Sequence, residues 1–432
     1  MKRTEILDIL FSAHTHSVRD VLWGNVPFTK PMKSILEVKA FEKLSRIKQN
    51  GPTYHIYPGA VHTRASHSIG VYALSREILI ALSRKNDELP FTREGIWSFL
   101  IASLLHDIGH FPYAHSLKDI AVKEHEEIAY EIINSDDELK NAIENVGGNA
   151  MKTALIIASK RQTDDTEVPI YRKILSGTLD PDKLDYLSRD AYFAGVPYGI
   201  QNTDYIISSL DLRGTTLVLE EEASLSLEHI LFSKYMMYKS IYWHKGTRAA
   251  TSMIKKAICH AIADGIISIE DLYKKDDEEF LSLAKEHSSY PPFHLIIDAE
   301  HGKMLERKAS IPLDKLPFLS SECQDLTKRL SIERMLWEFL KKRGETLDEF
   351  DVVIDIPEPI RFENDMLLLR KDGKIEKANE SESIFSGETG KSFSRALRKF
   401  SVYAPSETSE GNILSAVAFI EEVLWKRKTT ER

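Results

Sequence analysis

Residues 96–105 read IWSFLIASLL, and His106 and Asp107 follow directly. A helix this apolar has to be buried, so it carries an imidazole and a carboxylate into the interior at its end. Two more histidines, His110 and His115, lie just beyond in LLHDIGHFPYAHS (104–116). Burying such groups costs several kcal/mol unless something pairs with them. Any fold that accommodates this stretch must therefore supply a partner, and that requirement restricts what the chain can be.

Local signals place this segment among helices. Thr92 reads as the N-cap of its helix and Gly109 as its stop, while Pro112 keeps HFPYAH in a turn. Upstream, residues 66–82 set Val71, Leu74, Ile78 and Leu82 on one stripe at helical spacing. Downstream, HEEIAYEII (125–133) reads as a helix with Glu126 and Glu127 in its first turn, where the dipole favours acids. Asp180-Pro181 starts another helix, and residues 229–258 form a long basic helix or helix pair. The expected fold class is mainly α: a helical domain over residues 1–265, followed by a smaller α+β region over 266–432. In that second region, DLYKKDDEEF (271–280) opens a charged surface helix. FDVVIDIP (350–357), DMLLLRKDGK (365–374) and SVYAP (401–405) read as strands, and 412–425 as a closing helix. The polar stretch 376–392 reads as a loop.

The whole chain narrows the class further. Its 432 residues suffice for a large core, with ordinary hydrophobic (42%) and charged (28%) fractions. A net charge of −9 argues against broad binding to nucleic acid or anionic membranes. Two cysteines, Cys259 and Cys323, are too few for a disulfide framework or a cysteine-based zinc site, and suit the cytoplasm. Asp8 interrupts the apolar run near Met1, so no signal peptide is expected, and no apolar run approaches the ~20 residues of a membrane span.

Seven of the fifteen histidines fall between His55 and His125. Any one of them reads as a satisfied core or surface histidine. As a set beside Asp107, at the ends of apolar helices, they point to a divalent metal, which takes imidazole nitrogen and carboxylate oxygen together. Adjacent His106 and Asp107 cannot share a face in mid-helix, but they can converge at a helix end if other helices supply the remaining ligands. Asp182, Tyr186 and Asp190 share one helix face at a spacing of four, as do Lys234, Tyr238 and Tyr242 in a second stretch. The bland reading of these faces is a solvated polar face and a packed aromatic stripe.

His67, the His106-Asp107 pair and a distal Asp182 form the H…HD…D pattern of the HD-domain metal-dependent phosphohydrolases. RIKQNGPTYHIYPGAVHTRASHSIGV (46–71), LLHDIGHFPYAHS, HEEIAYEI and LDPDKLDYLSRDAYFAGV (179–196) resemble, in order, the deoxynucleoside triphosphate triphosphohydrolases of that superfamily. These include the sterile-alpha-motif-containing human enzyme and bacterial relatives. The resemblance covers residues 15–265, and IDIP and VYAP are similar to the α+β tail of the bacterial branch.

The resemblance implies a site. His67, His106, Asp107 and Asp182 would ligate a divalent transition metal (Mn, Fe, Ni or Zn), with Mg²⁺ arriving on the nucleotide phosphates. His125 would be the general acid, oriented by Glu126, and His110 and His115 would bind phosphate or position water. Arg64, Lys183 and Lys234 would hold phosphates. Gln49, Asn50, Tyr186, Asp190, Tyr238 and Tyr242 would contact sugar and base. The implied reaction is water attack on the α-phosphorus, releasing deoxynucleoside and triphosphate. The alternatives are another phosphohydrolase reaction at the same site, or a nucleotide-sensing or nucleic-acid-binding module with weak catalysis. The family also implies a homo-oligomer and a nucleotide effector. The chain departs from the family pattern at Asn50, where Leu is usual beside the sugar, and at Lys234, which replaces an arginine. Relative to the human-type enzyme, Tyr238 and Trp243 replace a histidine and a glutamine. Glu37, Glu42 and Ser45 stand where that enzyme uses Asp, Gln and Arg to hold an activating guanine nucleotide, and loss of that Arg argues against the same guanine-triphosphate switch.

Overall fold

The computed structural model describes residues 1–432 apart from 13, 115, 116, 119, 121, 361–364, 381–391, 394, 431 and 432. The architecture is mainly α-helical, with three small sheets among the described residues. The Arg64–Lys85 helix is central and packs against the Arg93–Leu105 and Pro181–Ala194 helices. Its expected stripe is buried, but so are Tyr72, Ala73, Leu79 and Ile80 on other faces. A helix enclosed by neighbours on most sides can be apolar all round.

Arg93–Leu105 is the apolar helix that the sequence demanded, and every residue from Gly95 to Leu105 is buried. Thr92 caps it, its Oγ1 accepting the Gly95 N–H at 3.0 Å. The helix stops at Leu105 rather than Gly109. The chain then tightens into turns, with Ile108 N–H donating to Leu105 O and His110 N–H to Asp107 O, both at 2.9 Å. Gly109 serves a different purpose. A Cβ there would stand 2.0 Å from the His125 carbonyl oxygen and 2.6 Å from Ala129 N, so glycine lets the turn press against the His125–Ser135 helix.

The sheets are β1 (His16–Asp20) with β2 (Gly24–Phe28); β3 (Leu210–Arg213), β4 (Thr216–Glu220), β7 (Leu367–Leu369) and β8 (Ile375–Lys377) in that order; and β5 (Glu306–Pro312), β9 (Lys399–Ala404) and β6 (Val353–Asp355) in that order. The three expected strands correspond to β6, β7 and β9. The Asp372-Gly373 turn joins β7 to β8, with Gly373 at φ +85. Strand β8 takes residues 376 and 377 from the expected loop, and 381–391 lie outside the described residues. The hairpins β1–β2 and β3–β4 were not expected within the helical region. Pro27 within β2 and a lone Gly214 between β3 and β4 are weak strand and turn signals.

Residues 229–258 prove to be parts of two helices, Ser224–Met237 and Lys245–Ala263, separated by a π turn at Tyr238–Tyr242. A second apolar cluster joins Phe111, Ala114, Leu117 and Ile128 to the Lys245–Ala263 and His294–Glu300 helices, so the loop after His106-Asp107 rests on the associated C-terminal part of the molecule. A third cluster packs Leu326–Lys342 and Glu410–Thr430 against β5, β6 and β9.

Candidate metal centre and active site

Three helix ends meet in the interior. Arg64 and His67 lie in the first turn of Arg64–Lys85, where Thr63 caps the Ser66 N–H. His106 is the C-cap of Arg93–Leu105, and Asp107 is next in the chain. Asp182 lies in the first turn of Pro181–Ala194, behind Asp180, whose carboxylate accepts the Lys183 N–H at 2.7 Å.

The ligating atoms of His67, His106 and Asp107 all lie within 4.8 Å of one another. Asp182 Oδ1 is 3.0 Å from His67 Nε2 and 3.8 Å from His106 Nε2. The hydrogen bonds set the tautomers. His106 Nδ1 is 2.9 Å from the Ser103 carbonyl, which only accepts, so Nδ1 carries the proton and Nε2 keeps its lone pair. His67 Nδ1 is likewise directed at Asp185 Oδ2, at 2.7 Å. His106 Nε2 is buried without a hydrogen-bond partner and faces two carboxylates. Two imidazole nitrogens and two carboxylates from three helix ends suit a divalent transition metal.

The charges interlock. Burial opposes ionisation of Asp107, but His110, His106 and Arg64 hold its carboxyl well below the usual range. Arg64 Nη1 donates to Asp107 Oδ2 at 2.7 Å. Burial likewise opposes ionisation of Asp182, yet the hydrogen bond to His67 holds it low. Burial also opposes a charge on His67, but Asp182 and Asp185 raise it to about 10.

The Asp107 oxygen that faces His106 Nε2, Oδ1, is also 3.2 Å from His110 Nε2. The rings of His110 and His125 stack at 4.0 Å and 21°. His125 Nδ1 is 3.2 Å from Glu126 Oε2, and the ligating atoms of Asp107, His110 and His125 lie within 4.8 Å of one another. Burial lowers His110 well below its ordinary pKa and brings His125 down to about 4, while burial raises Glu126. His125 is thus neutral near pH 7 rather than near its own pKa. His115 lies outside the described residues.

An aromatic wall adjoins this centre. Tyr242 stands edge-on to Tyr186 at 6.4 Å and to Tyr238 at 5.0 Å, and Tyr238 is edge-on to Trp243 at 5.5 Å. Tyr238 and Tyr242 belong to the π turn, a rare conformation often found at functional sites, while Tyr186 comes from the Pro181–Ala194 helix. Asp190 is buried, with one oxygen 2.7 Å from His62 Nε2 and the other accepting the Tyr242 hydroxyl. Both of its oxygens are therefore engaged within the protein. Lys183 Nζ donates to the Gly177 carbonyl at 2.9 Å and pairs with Asp180, and it lines one cleft with Lys234, Thr178 and Asp365. Gln49 is tied to His62 by a backbone bond of 3.0 Å, and Gln49 Oε1 and Asn50 Nδ2 are buried without hydrogen-bond partners. Glu37, Glu42 and Ser45 are exposed, and the Ser45 hydroxyl donates to the Glu42 carbonyl at 2.6 Å.

Several residues around the site were not singled out from the sequence. Asp185 and Arg189 form an i,i+4 pair in the quoted LDPDKLDYLSRD, a signal that was available. Trp23 and Asp20, which join them, come from the β1–β2 hairpin and carried none. Tyr113, at φ 59, is the only non-glycine with positive φ among the described residues, and its ring lies beside Gly51 and 5.4 Å from Phe280.

The four side chains of the H…HD…D pattern are thus brought together at three helix ends. The model described as HD domain matches residues 64–188 and the one described as HD associated region matches 202–423, so the chain belongs to the HD-domain family. Among relatives, an uncharacterized protein of Methanocaldococcus jannaschii is 26% identical over 90% of this chain and 79% of its own length. The uncharacterized YwfO of Bacillus subtilis is 29% identical over 57% of this chain, and the match spans 60% of that relative. The deoxynucleoside triphosphate triphosphohydrolase SAMHD1 homolog of Dictyostelium discoideum is 25% identical over 62% of this chain and 53% of its own length. A phosphohydrolase structure from Bacteroides thetaiotaomicron shares the fold, with a TM-score of 0.68 at 22% identity over 90% of this chain and 99% of that one. No helix among the described residues is long and apolar enough to cross a membrane.

Proposed function

We propose that the protein is a metal-dependent phosphohydrolase that converts a deoxynucleoside triphosphate to deoxynucleoside and inorganic triphosphate. The observation that carries the reading is the convergence of His67, His106, Asp107 and Asp182, with the lone pair of His106 Nε2 buried and unbonded. The nucleotide specificity rests on the similarity to the Dictyostelium homolog and on the aromatic wall beside the lysine-lined cleft.

The four side chains would hold one transition metal, which supplies Lewis acidity and activates water for attack on phosphorus. Arg64, fixed on Asp107, presents its remaining donors to a phosphoryl oxygen. His110 and His125, stacked on each other beside Asp107, flank the reacting phosphate. His125 donates the proton to the leaving 5′-oxygen. It must first gain that proton, and the negative charge of a bound polyphosphate favours this. Glu126 orients its ring. Lys183 and Lys234 bind the outer phosphates, while Tyr186, Tyr238 and Tyr242 enclose sugar and base. Asp190 fixes Tyr242 and His62, and it reaches a sugar hydroxyl only by releasing one of them. Asn50, with an unused buried amide donor, is the group that meets the sugar edge and governs ribose against deoxyribose. His115, the Mg²⁺ on the phosphates, a homo-oligomer and a nucleotide effector complete the proposal.

Chromatography of products from dATP, dGTP, dCTP and dTTP, with matched ribonucleotides and Mn²⁺ or Mg²⁺, tests the reading. Deoxynucleoside together with intact triphosphate is expected. Pyrophosphate or orthophosphate as first product would replace it with another phosphohydrolase reaction.

A further inference from the structure

Behind His67 lies a buried polar network that belongs to no ligand set. We infer that Asp185, together with Arg189, Asp20 and Trp23, is a positioning network that fixes the metal-facing nitrogen of His67, an inference that rests on the metal centre proposed above.

Asp185, Arg189 and Asp20 are respectively 0%, 0% and 6% exposed. Asp185 Oδ2 accepts from His67 Nδ1 at 2.7 Å and from Arg189 Nε at 2.8 Å. Its Oδ1 accepts from Arg189 Nη2 at 2.9 Å and from the Trp23 indole N–H. Arg189 Nη1 reaches Asp20 Oδ2 at 2.9 Å. Asp20 Oδ1 in turn accepts the backbone N–H groups of Leu22 at 2.9 Å and Trp23 at 3.0 Å, which fixes the turn that delivers the indole.

The arrangement is specific in three ways. First, both oxygens of Asp185 are saturated from behind, so the carboxylate cannot swing away and the His67 ring is held by a rigid acceptor. Second, two carboxylates face one guanidinium, leaving one net negative charge in the interior. Its nearest outlet is His67, so the network favours positive charge on the far side of that imidazole, where Asp182 and His106 converge. Third, the space is reserved. A Cβ on Gly70 would stand 1.9 Å from Asp185 Oδ1 and 2.5 Å from Arg189 Nη2. A carboxylate on the distal nitrogen of a ligating imidazole fixes its tautomer and increases its donor strength. The N-terminal hairpin, outside the matched HD segment, thereby becomes part of the metal centre.

Two variants test this: Asp185→Asn, which keeps shape but removes the charge, and Trp23→Phe, which keeps the ring but removes the indole donor. The dissociation constant for Mn²⁺ would be measured by chelator competition on the purified full chain. Urea unfolding of each metal-free protein would be measured alongside. The expected result is affinity weakened about 10- to 100-fold in Asp185→Asn and more modestly in Trp23→Phe. The deficit should exceed what the metal-free unfolding curves account for. Unchanged affinity in a folded variant, with stability alone reduced, would reduce the network to a structural brace and overturn the inference. If Asp185→Asn does not fold, Trp23→Phe decides. If the wild-type chain binds no Mn²⁺, the metal reading itself fails and this inference falls with it, an outcome distinct from unequal or equal binding among variants.

Discussion

At the scale of single residues, the site depends on how tightly its groups constrain one another. Asp107 is shared among Arg64, His106 and His110, so its removal leaves a guanidinium and two imidazoles without their common carboxylate. Gly109 is equally constrained, although it touches no ligand. In Gly109→Ala the new methyl meets the His125 carbonyl and must push the His125–Ser135 helix away from Asp107. Overpacking of this kind costs typically 1–3 kcal/mol. The expected outcome is a comparable loss of stability by urea unfolding, with kcat falling more than metal content. Unchanged kcat would show that the spacing between Asp107 and His125 does not matter. That His67, His106, Asp107 and Asp182 come together was legible through the resemblance of H…HD…D to a known family pattern. Asp190 was legible as a position but not in its partners. That His62 and Tyr242 already hold it depends on where the π turn brings Tyr242, and no local spacing reveals that.

At the scale of elements, caps place the ligands. Thr63 and Asp180 cap the starts of helices that carry His67 and Asp182 in their first turns, whereas Thr92 caps the far end of the helix that stops at His106. Thr92 and Asp180-Pro181 were readable because capping chemistry is local. The β1–β2 hairpin was not readable, since its stability comes from packing on the Arg64–Lys85 helix and its strand carries a proline. Thr92→Ala removes the cap on the helix that ends at His106, at a cost of about 1 kcal/mol. The metal lies at the opposite end, so bound metal should be unchanged while the urea midpoint falls. Loss of metal in this variant would mean that the helix shifts as a rigid rod when its cap is lost.

At the scale of the whole molecule, residues 43–48, just before Gln49 and Asn50, meet residues 273–277. Lys43 Nζ donates to the Tyr273 carbonyl at 3.0 Å, and Arg46 pairs with Asp276 at 2.5 Å. Asp277 accepts the Lys48 backbone N–H at 2.9 Å, immediately before Gln49 and Asn50. Asp277→Ala is therefore expected to raise KM several-fold while bound metal stays unchanged, measured by steady-state kinetics and elemental analysis. A pH effect should arise farther away. His294 Nε2 lies 2.9 Å from Asp351, and chiefly that hydrogen bond raises its pKa above 6.5. A raised folded pKa gives stability that is fully present below about 6.5, the unfolded value, and is lost as pH rises through the folded value. The stability deficit of His294→Gln relative to wild type should therefore be larger at pH 6 than at pH 9, and a deficit independent of pH would contradict it.

His67, His106, Asp107 and Asp182 are proposed to hold one metal ion together. Elemental analysis of the purified chain and of Asp107→Ala, each loaded with Mn²⁺ and desalted, tests it most directly. About one metal ion per wild-type chain and almost none in the folded variant is the expected result. Equal metal in both proteins would contradict it.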